Sequence, residues 1–232
     1  MIRVLVSPSN VEEALECIRG GAEIIDVKNP REGSLGANFP WVIKEITKLA
    51  KSYGKDVSAT IGDLDKAGTA SLASYGVASL GVDYVKVGLF AGKIESALEI
   101  LKCVTKAVKE FDIKVVAASY ADWIRAKTFS PLKLPEVASD ADADGVMIDT
   151  AIKDGRSTFE FMSFEDLAEF IDRAHENGVF CALAGGLNWN HIGLIKKLKP
   201  DIIGVRTMVC KDGRNSKICS ELVQKLVMEI NR

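Results

Sequence analysis

The sequence predicts a (β/α)8 barrel, a single α/β domain over residues 1–232 in which eight parallel strands each lead into a helix. Three observations carry this. Short Val- and Ile-rich runs alternate with longer stretches whose apolar residues recur at i, i+3, i+4 and i+7, the period of an amphipathic helix. The strand runs are nearly continuous in apolar residues, as in a parallel sheet covered by helices. Dividing 232 residues by eight gives 29 per unit, and a strand, a helix and two short loops need ~25–30. A doubly wound open sheet is the competing architecture. It would normally carry a Gly-rich first βα turn, and here that turn is Ser7-Pro8-Ser9-Asn10.

Arg3–Val6 is the first strand. Ser9 with Glu12 then reads as an S-x-x-E capping box, and Val11, Ala14, Leu15 and Ile18 make one face of a helix that ends at Gly20-Gly21. Glu23–Lys28 is strand two. Val42, Ile43, Ile46, Leu49 and Ala50 mark its helix, closed by Gly54. Asp56–Ile61 is strand three, followed by an Ala/Ser-rich helix over 67–80. Asp83–Leu89 is strand four, and Ile94, Ala97, Leu98, Leu101, Val104 and Val108 give a strong helix after it. Lys114–Ser119 is strand five. The stretch 122–141 reads as irregular, because Pro131 and Pro135 break any long helix. Gly145–Asp149 is strand six, and Ser163 with Asp166 caps the helix that carries Phe164, Leu167, Ala168, Ile171 and Ala174. Val179–Ala184 is strand seven, with a short helix from Asn188 that ends before Pro200. Ile202–Arg206 is strand eight, and Ile218, Leu222, Val223, Leu226 and Ile230 form the last helix.

Composition narrows the function classes. Thirty basic against 32 acidic residues leave a net charge of −2, with 47% hydrophobic and 27% charged residues. That excludes a disordered chain and argues against a protein that coats nucleic acid. Five cysteines with no C-x-x-C pair read as buried, reduced thiols. No apolar run reaches ~18 residues, and Met1–Val6 is too short for a signal peptide and reads as a strand. The expectation is a cytoplasmic protein with neither membrane nor nucleic acid as partner, and one compatible with a homo-oligomer.

In such barrels the reactive groups sit at the C-terminal ends of the strands. Side chains alternate along a strand. In strand two, Ile25 and Val27 fit the helix side, so Asp26 and Lys28 point inward. Val85 and Val87 leave Lys86 inward, Val146 and Ile148 leave Asp149 inward, and Val205 leaves Arg206 inward. All four strands are even-numbered, and barrel layers draw inward side chains from alternate strands. Lys28, Lys86, Asp149 and Arg206 are therefore expected near one level of the mouth. Charges also gather at strand ends simply because loops begin there. Lysines set between valines inside strands are unusual, however, since burying an ammonium is costly.

Paired lysines in a dry mouth suit amine chemistry. Desolvation and a cationic neighbour both lower a lysine pKa, and only the free amine attacks a carbonyl. The second lysine and the carboxylates Asp26 and Asp149 can then move protons, and Lys153 adds an acid–base or phosphate-binding group. Gly185 and Gly186 after strand seven, with Gly204 and Arg206 on strand eight, occupy the usual phosphate position of this fold. The glycine pair alternatively makes only a tight turn. Loops 29–38 and 150–162 read either as lids over the mouth or as ordinary surface segments. His175 near a helix end and His191 in a short helix show no ligand spacing, so neither a metal nor another cofactor is expected. Trp41, Trp123 and Trp189 are assigned no chemistry.

The segments LVSPSNVEEAL, EIIDVKNPREGSLGANFPWVI, DYVKVGLF, MIDTAIKDGR and LAGGL together resemble the (5-formylfuran-3-yl)methyl phosphate synthase family across essentially the whole chain. The resemblance implies a lyase of methanofuran biosynthesis that condenses two glyceraldehyde 3-phosphates into a furan phosphate. It puts the family's Schiff-base lysine at Lys28 and its acid–base lysine at Lys86. Its functional Asp and Lys of the M-I-D-T-x-x-K-D-G motif fall on Asp149 and Lys153, and its strand-two aspartate on Asp26. Asp26-x-Lys28 also resembles the D-x-K strand of phosphate-binding decarboxylases, whose lysine protonates a carbanion without an imine. That motif continues to a third acidic residue, where this chain has Arg31.

Overall fold

The computed structural model describes residues 1–213 and 216–232. Eight strands close into a parallel barrel in sequence order, with β8 back against β1. They are β1 Arg3–Val6, β2 Ile24–Val27, β3 Asp56–Leu64, β4 Tyr84–Leu89, β5 Lys114–Tyr120, β6 Gly145–Asp149, β7 Phe180–Leu183 and β8 Ile202–Val205. The outer layer consists of α1 Val11–Arg19, α2 Pro40–Ser52, α3 Ala67–Ala78, α4 Ile94–Val108, α5 Trp123–Ala126, α6 Leu134–Asp140, α7 Phe164–Glu176, α8 Ile192–Leu198 and α9 Ser220–Ile230.

Two apolar cores follow from strand alternation. The large one lies between strands and helices and takes Ile25, Val27, Val85, Val87, Val146, Ile148 and Val205. The smaller one fills the barrel with Leu5, Ile24, Tyr84, Val116, Ala118, Tyr120, Met147, Ala182 and Ile202. The inward and outward faces expected for the even strands are thus the ones observed. Tyr84 and Phe180 meet edge to face low in the barrel. Gly145 makes room there, because a Cβ at that position would overlap the Phe180 ring.

Three local expectations need correction. The cap of α1 lies one residue later than Ser9. Asn10 takes the N-cap position and accepts the N–H of Glu13, while Glu13 reaches back to Ser9. The buried face accordingly turns to Glu13, Ala14, Cys17 and Ile18. Strand β3 runs past Ile61 to Leu64, because its register with β4 shifts between Thr60 and Asp63, where Gly62 adopts φ +112°. The stretch 122–141 is not irregular. It folds as α5, a 3-10 turn over Pro131–Lys133 and α6, whose first turn holds Pro135. There the proline starts a helix rather than breaking one, since the first turn needs no N–H from it.

Candidate active site

The C-terminal ends of β1, β2, β4, β6, β7 and β8 enclose a cavity of about 430 Å³, counted with its open mouth. Lys28, Lys86, Asp26, Asp149, Lys153, Gly185, Gly186, Gly204 and Arg206 all line it, together with Ser7 and Met147. Strand order and alternation bring together those at the strand ends, and the loops after β6 and β7 add Lys153, Gly185 and Gly186.

Within the cavity the charges sort into pairs around one lysine. Lys86 Nζ donates to Asp26 Oδ1 at 2.7 Å, and Ser7 Oγ donates to Asp26 Oδ2 at 2.8 Å. Both partners of this ion pair are buried. Burial alone would raise the Asp26 carboxyl. The Lys86 and Lys28 charges and the two hydrogen bonds outweigh it and hold Asp26 below its ordinary value. On the other side, Lys153 Nζ donates to Asp149 Oδ1 at 2.5 Å and to Thr150 Oγ1 at 3.0 Å. Burial again works against the charge on Asp149, but Lys153 and Lys28 bring its pKa down to about 2.

Lys28 stands between these pairs. It is buried, and among the described residues no side chain bonds its Nζ. Desolvation is the largest influence on it and lowers its pKa to about 8; Lys153 and Lys86 push the same way, and Asp149 and Asp26 oppose. The result is a buried ammonium that gives up its proton far more readily than an ordinary lysine, with an ion pair on each side.

Arg206 takes its cavity position from α1. Its Nη1 donates to the Ser7 carbonyl at 2.7 Å and to Glu13 Oε2 at 2.8 Å, and its Nη2 donates to Glu13 Oε1 at 2.9 Å. Glu13 Oε2 also accepts the N–H and Oγ–H of Ser9. The pair is buried on both sides, and the Arg206 charge and the Ser9 bonds hold Glu13 low despite desolvation. A hydrogen-bonded path therefore runs from α1 through Arg206 and Ser7 to Asp26 and Lys86.

The glycines answer to close packing. Gly185 and Gly186 both have positive φ. A Cβ on Gly185 would collide with Thr158 Oγ1 and lie 2.8 Å from the Thr150 nitrogen, and one on Gly186 would lie 2.6 Å from the Arg156 carbonyl. The β6 loop thus presses onto the β7 turn, and both glycines still line the cavity. In loop 29–38, Asn29 N–H bonds the Gly36 carbonyl at 2.9 Å, and a Cβ at Gly36 would run into the Asn29 carbonyl. Leu35 from this loop is fully buried in the barrel core. Both loops are docked against the barrel.

Four residues escaped the sequence reading. Glu13 sits on the buried face of α1, one position after Glu12, the expected capping-box partner. Asp63 lies beyond the β3 bulge, and Gly62 was the signal for it. Tyr120 ends β5, one residue past the expected strand, and Asp122 follows it at the start of the Pro-containing stretch. His175 pairs with Asp201 at 2.9 Å on the surface, away from the cavity. Among the described residues no group of three or more His, Cys, Asp or Glu is placed to hold a metal ion.

The fold is shared with orotidine 5'-phosphate decarboxylase from Pyrococcus horikoshii, at a TM-score of 0.67 and 20% identity over 99% of each chain. It is also shared with phosphoribosyl anthranilate isomerase from Thermus thermophilus, at a TM-score of 0.67 and 15% identity over 99% of this chain and 98% of that one. Sequence relatives reach further. A protein of Archaeoglobus fulgidus named (5-formylfuran-3-yl)methyl phosphate synthase is 56% identical, covering 99% of this chain and 100% of its own. One of the same name from Methanocaldococcus jannaschii is 53% identical, covering 96% and 97%. The family described as 4-HFC-P synthase matches residues 4–227, and the chain belongs to that family.

Proposed function

We propose that the protein is a lyase that condenses two glyceraldehyde 3-phosphates through a Schiff base on Lys28. The product is 4-(hydroxymethyl)-2-furancarboxaldehyde phosphate, a precursor for methanofuran, and atom balance releases one orthophosphate and two waters. The observation that carries this is the buried Lys28 amine, unbonded among the described side chains and lowered to about 8, between two ion pairs. An amine so placed attacks an aldehyde without first losing a strongly held proton.

The steps use groups already in the cavity wall. Lys28 Nζ adds to one aldehyde carbon, and loss of water gives the imine. A proton leaves the adjacent carbon, and the electron pair passes into the enamine. The enamine carbon attacks the second aldehyde, whose oxygen takes a proton from Lys86. Asp26, bonded to Lys86, holds that Nζ in place for the transfer. Lys153 and Asp149 flank the opposite side and serve the proton transfers of elimination. Orthophosphate departs, a chain hydroxyl closes the ring on the imine carbon and expels the Lys28 amine, and dehydration gives the aromatic furan. The amides of the Gly185-Gly186 turn suit one phosphate, with Gly204 in the same cavity wall. Arg206 faces it with a charge already countered by Glu13, and Lys153 meets the second phosphate.

Incubating the chain with glyceraldehyde 3-phosphate alone should produce a near-ultraviolet furan absorbance, and Lys28→Ala should abolish it. Borohydride should fix substrate carbon on Lys28, read by peptide mass spectrometry. Furan formation without any adduct at Lys28 would remove the Schiff base from the account. A decarboxylase-like use of Asp26-x-Lys28 predicts neither the adduct nor the furan.

A further inference from the structure

Two carboxylates outside the cavity wall hold the loop that follows Lys28 and the loop that carries Lys153. Asp122, just after β5, has a side chain with no exposure at all. Its Oδ1 accepts the N–H of Ala151 at 2.6 Å and its Oδ2 that of Ile152 at 3.0 Å. These are the two residues before Lys153. Asp63, beyond the β3 bulge, does the same for the loop after β2. Its Oδ2 accepts the N–H of Ser34 at 3.0 Å and of Leu35 at 3.3 Å, and its Oδ1 accepts the Tyr120 hydroxyl. Tyr120 and Asp122 lie two residues apart, so both clamps draw on the end of β5. The circuit closes where Ser34 Oγ donates to the Thr150 carbonyl at 2.7 Å.

A carboxylate has lone pairs for two amides, and charge-assisted hydrogen bonds are about twice as strong as neutral ones. Loops are held this way elsewhere in the chain too. Asp144, for example, accepts the N–H of Val115 at 2.7 Å at the opposite end of the strands. What separates Asp122 and Asp63 is what they hold. Asp122 fixes the backbone next to Lys153, whose ammonium reaches Asp149. Asp63 fixes the loop that leaves Lys28 and seats Leu35 in the barrel.

We propose that Asp122 and Asp63 are positioning residues that fix Lys153 against Asp149 and Leu35 over the barrel, setting the surroundings of Lys28 before substrate arrives. The inference rests on Lys28 as the reacting amine. The groups facing Lys28 are Asp26 on its own strand, Lys86 from β4, Asp149 and Lys153 from β6 and its loop, and the Arg206–Glu13 pair from β8 and α1. Asp149 is the strongest charge acting on it. Releasing the β6 loop withdraws the Lys153 cation and leaves Asp149 to Lys28 alone. Releasing the β2 loop lets water reach the amine. Both make Lys28 more basic.

The test is the pH dependence of reductive methylation of Lys28 by formaldehyde and cyanoborohydride, quantified by peptide mass spectrometry beside a thermal melt. Methylation reads the amine whether or not the chain makes a furan, so failure here is distinct from failure of the Schiff-base reading. Asp122→Asn turns one acceptor into an amide donor facing an N–H. It should raise the Lys28 midpoint by about one pH unit. Asp63→Asn should move it the same way, and Asp144→Asn should lower the melting temperature without moving it. If either clamp variant fails to fold, Ser34→Ala and Tyr120→Phe remove one hydroxyl each and should shift the midpoint upward by less. A midpoint unchanged in the folded clamp variants, or in both hydroxyl variants, overturns the proposal. So does an equal shift in Asp144→Asn.

Discussion

Glu13→Ala should destabilise the chain as a loss of electrostatic support deep in the fold. The substitution removes both carboxylate oxygens from the Arg206 guanidinium, at 2.8 and 2.9 Å, and leaves the N–H and hydroxyl of Ser9 without their acceptor. Two hydrogen bonds between charged groups are worth ~1.5–3 kcal/mol each. Removing one partner of a buried pair costs ~3–5 kcal/mol in total, because the remaining charge stays buried. Unfolding entropy of ~2.1 cal/mol/K per residue over 232 residues is about 0.5 kcal/mol/K. A loss of about 4 kcal/mol therefore lowers the melting temperature by about 8 °C. Glu13 has a folded pKa below its unfolded value. Its stabilisation is therefore present above pH ~4.5 and fades as pH falls through the lowered folded pKa, so the two melting curves should converge in acid. The double variant Glu13→Leu, Arg206→Met, which replaces the charges with apolar groups of similar reach, should recover much of the loss. Calorimetric melts at pH 7 and at a series of values well below pH 4.5 decide it. A Glu13→Ala melt within about 2 °C of the parent at pH 7 would refute this ledger, as would a double variant as unstable as the two single losses added.

Other expectations follow from the same geometry. Lys28 has a folded pKa of about 8 against an ordinary 10.5, so its ammonium costs folding about 3 kcal/mol below pH 8. Lys28→Met should thus melt several degrees higher at pH 7, with the advantage fading between pH 8 and 10.5, where the unfolded chain still holds the proton that the folded chain has lost. In furan formation, kcat/KM should fall about tenfold per pH unit below 8, as the free amine disappears. Asp26→Asn, which keeps shape but removes the charge facing Lys86, should lower kcat far more than it raises KM in the furan assay. Gly36→Ala forces the loop off the Asn29 carbonyl and should cost at least 100-fold in kcat/KM while shifting the melt by only a few degrees.

The barrel was legible because each strand of a parallel sheet declares its two faces in its own residues. Ile25 and Val27 around Asp26, Val85 and Val87 around Lys86, and Val146 and Ile148 before Asp149 fixed the inward set without any knowledge of neighbours. What stayed hidden depends on contacts distant in sequence. The partner of Arg206 is Glu13, 193 residues away, and nothing near Arg206 announces it. Asp63 was lost because the β3 bulge interrupts the period on which the reading relied. Asp122 was lost because Pro131 and Pro135 drew attention to breaks rather than to the helical turns they begin. The glycines at 185 and 186 were noticed for phosphate, yet the structure shows them also admitting the β6 loop, a packing need that no local pattern carries.

The central claim is that Lys28 is the amine that captures the triose phosphate. Borohydride reduction during turnover with glyceraldehyde 3-phosphate, followed by peptide mapping, tests it most directly. A stable adduct is expected on Lys28, absent in Lys28→Ala and absent from Lys86 and Lys153. An adduct on either of those lysines, or furan release with Lys28 unmodified throughout, would contradict it.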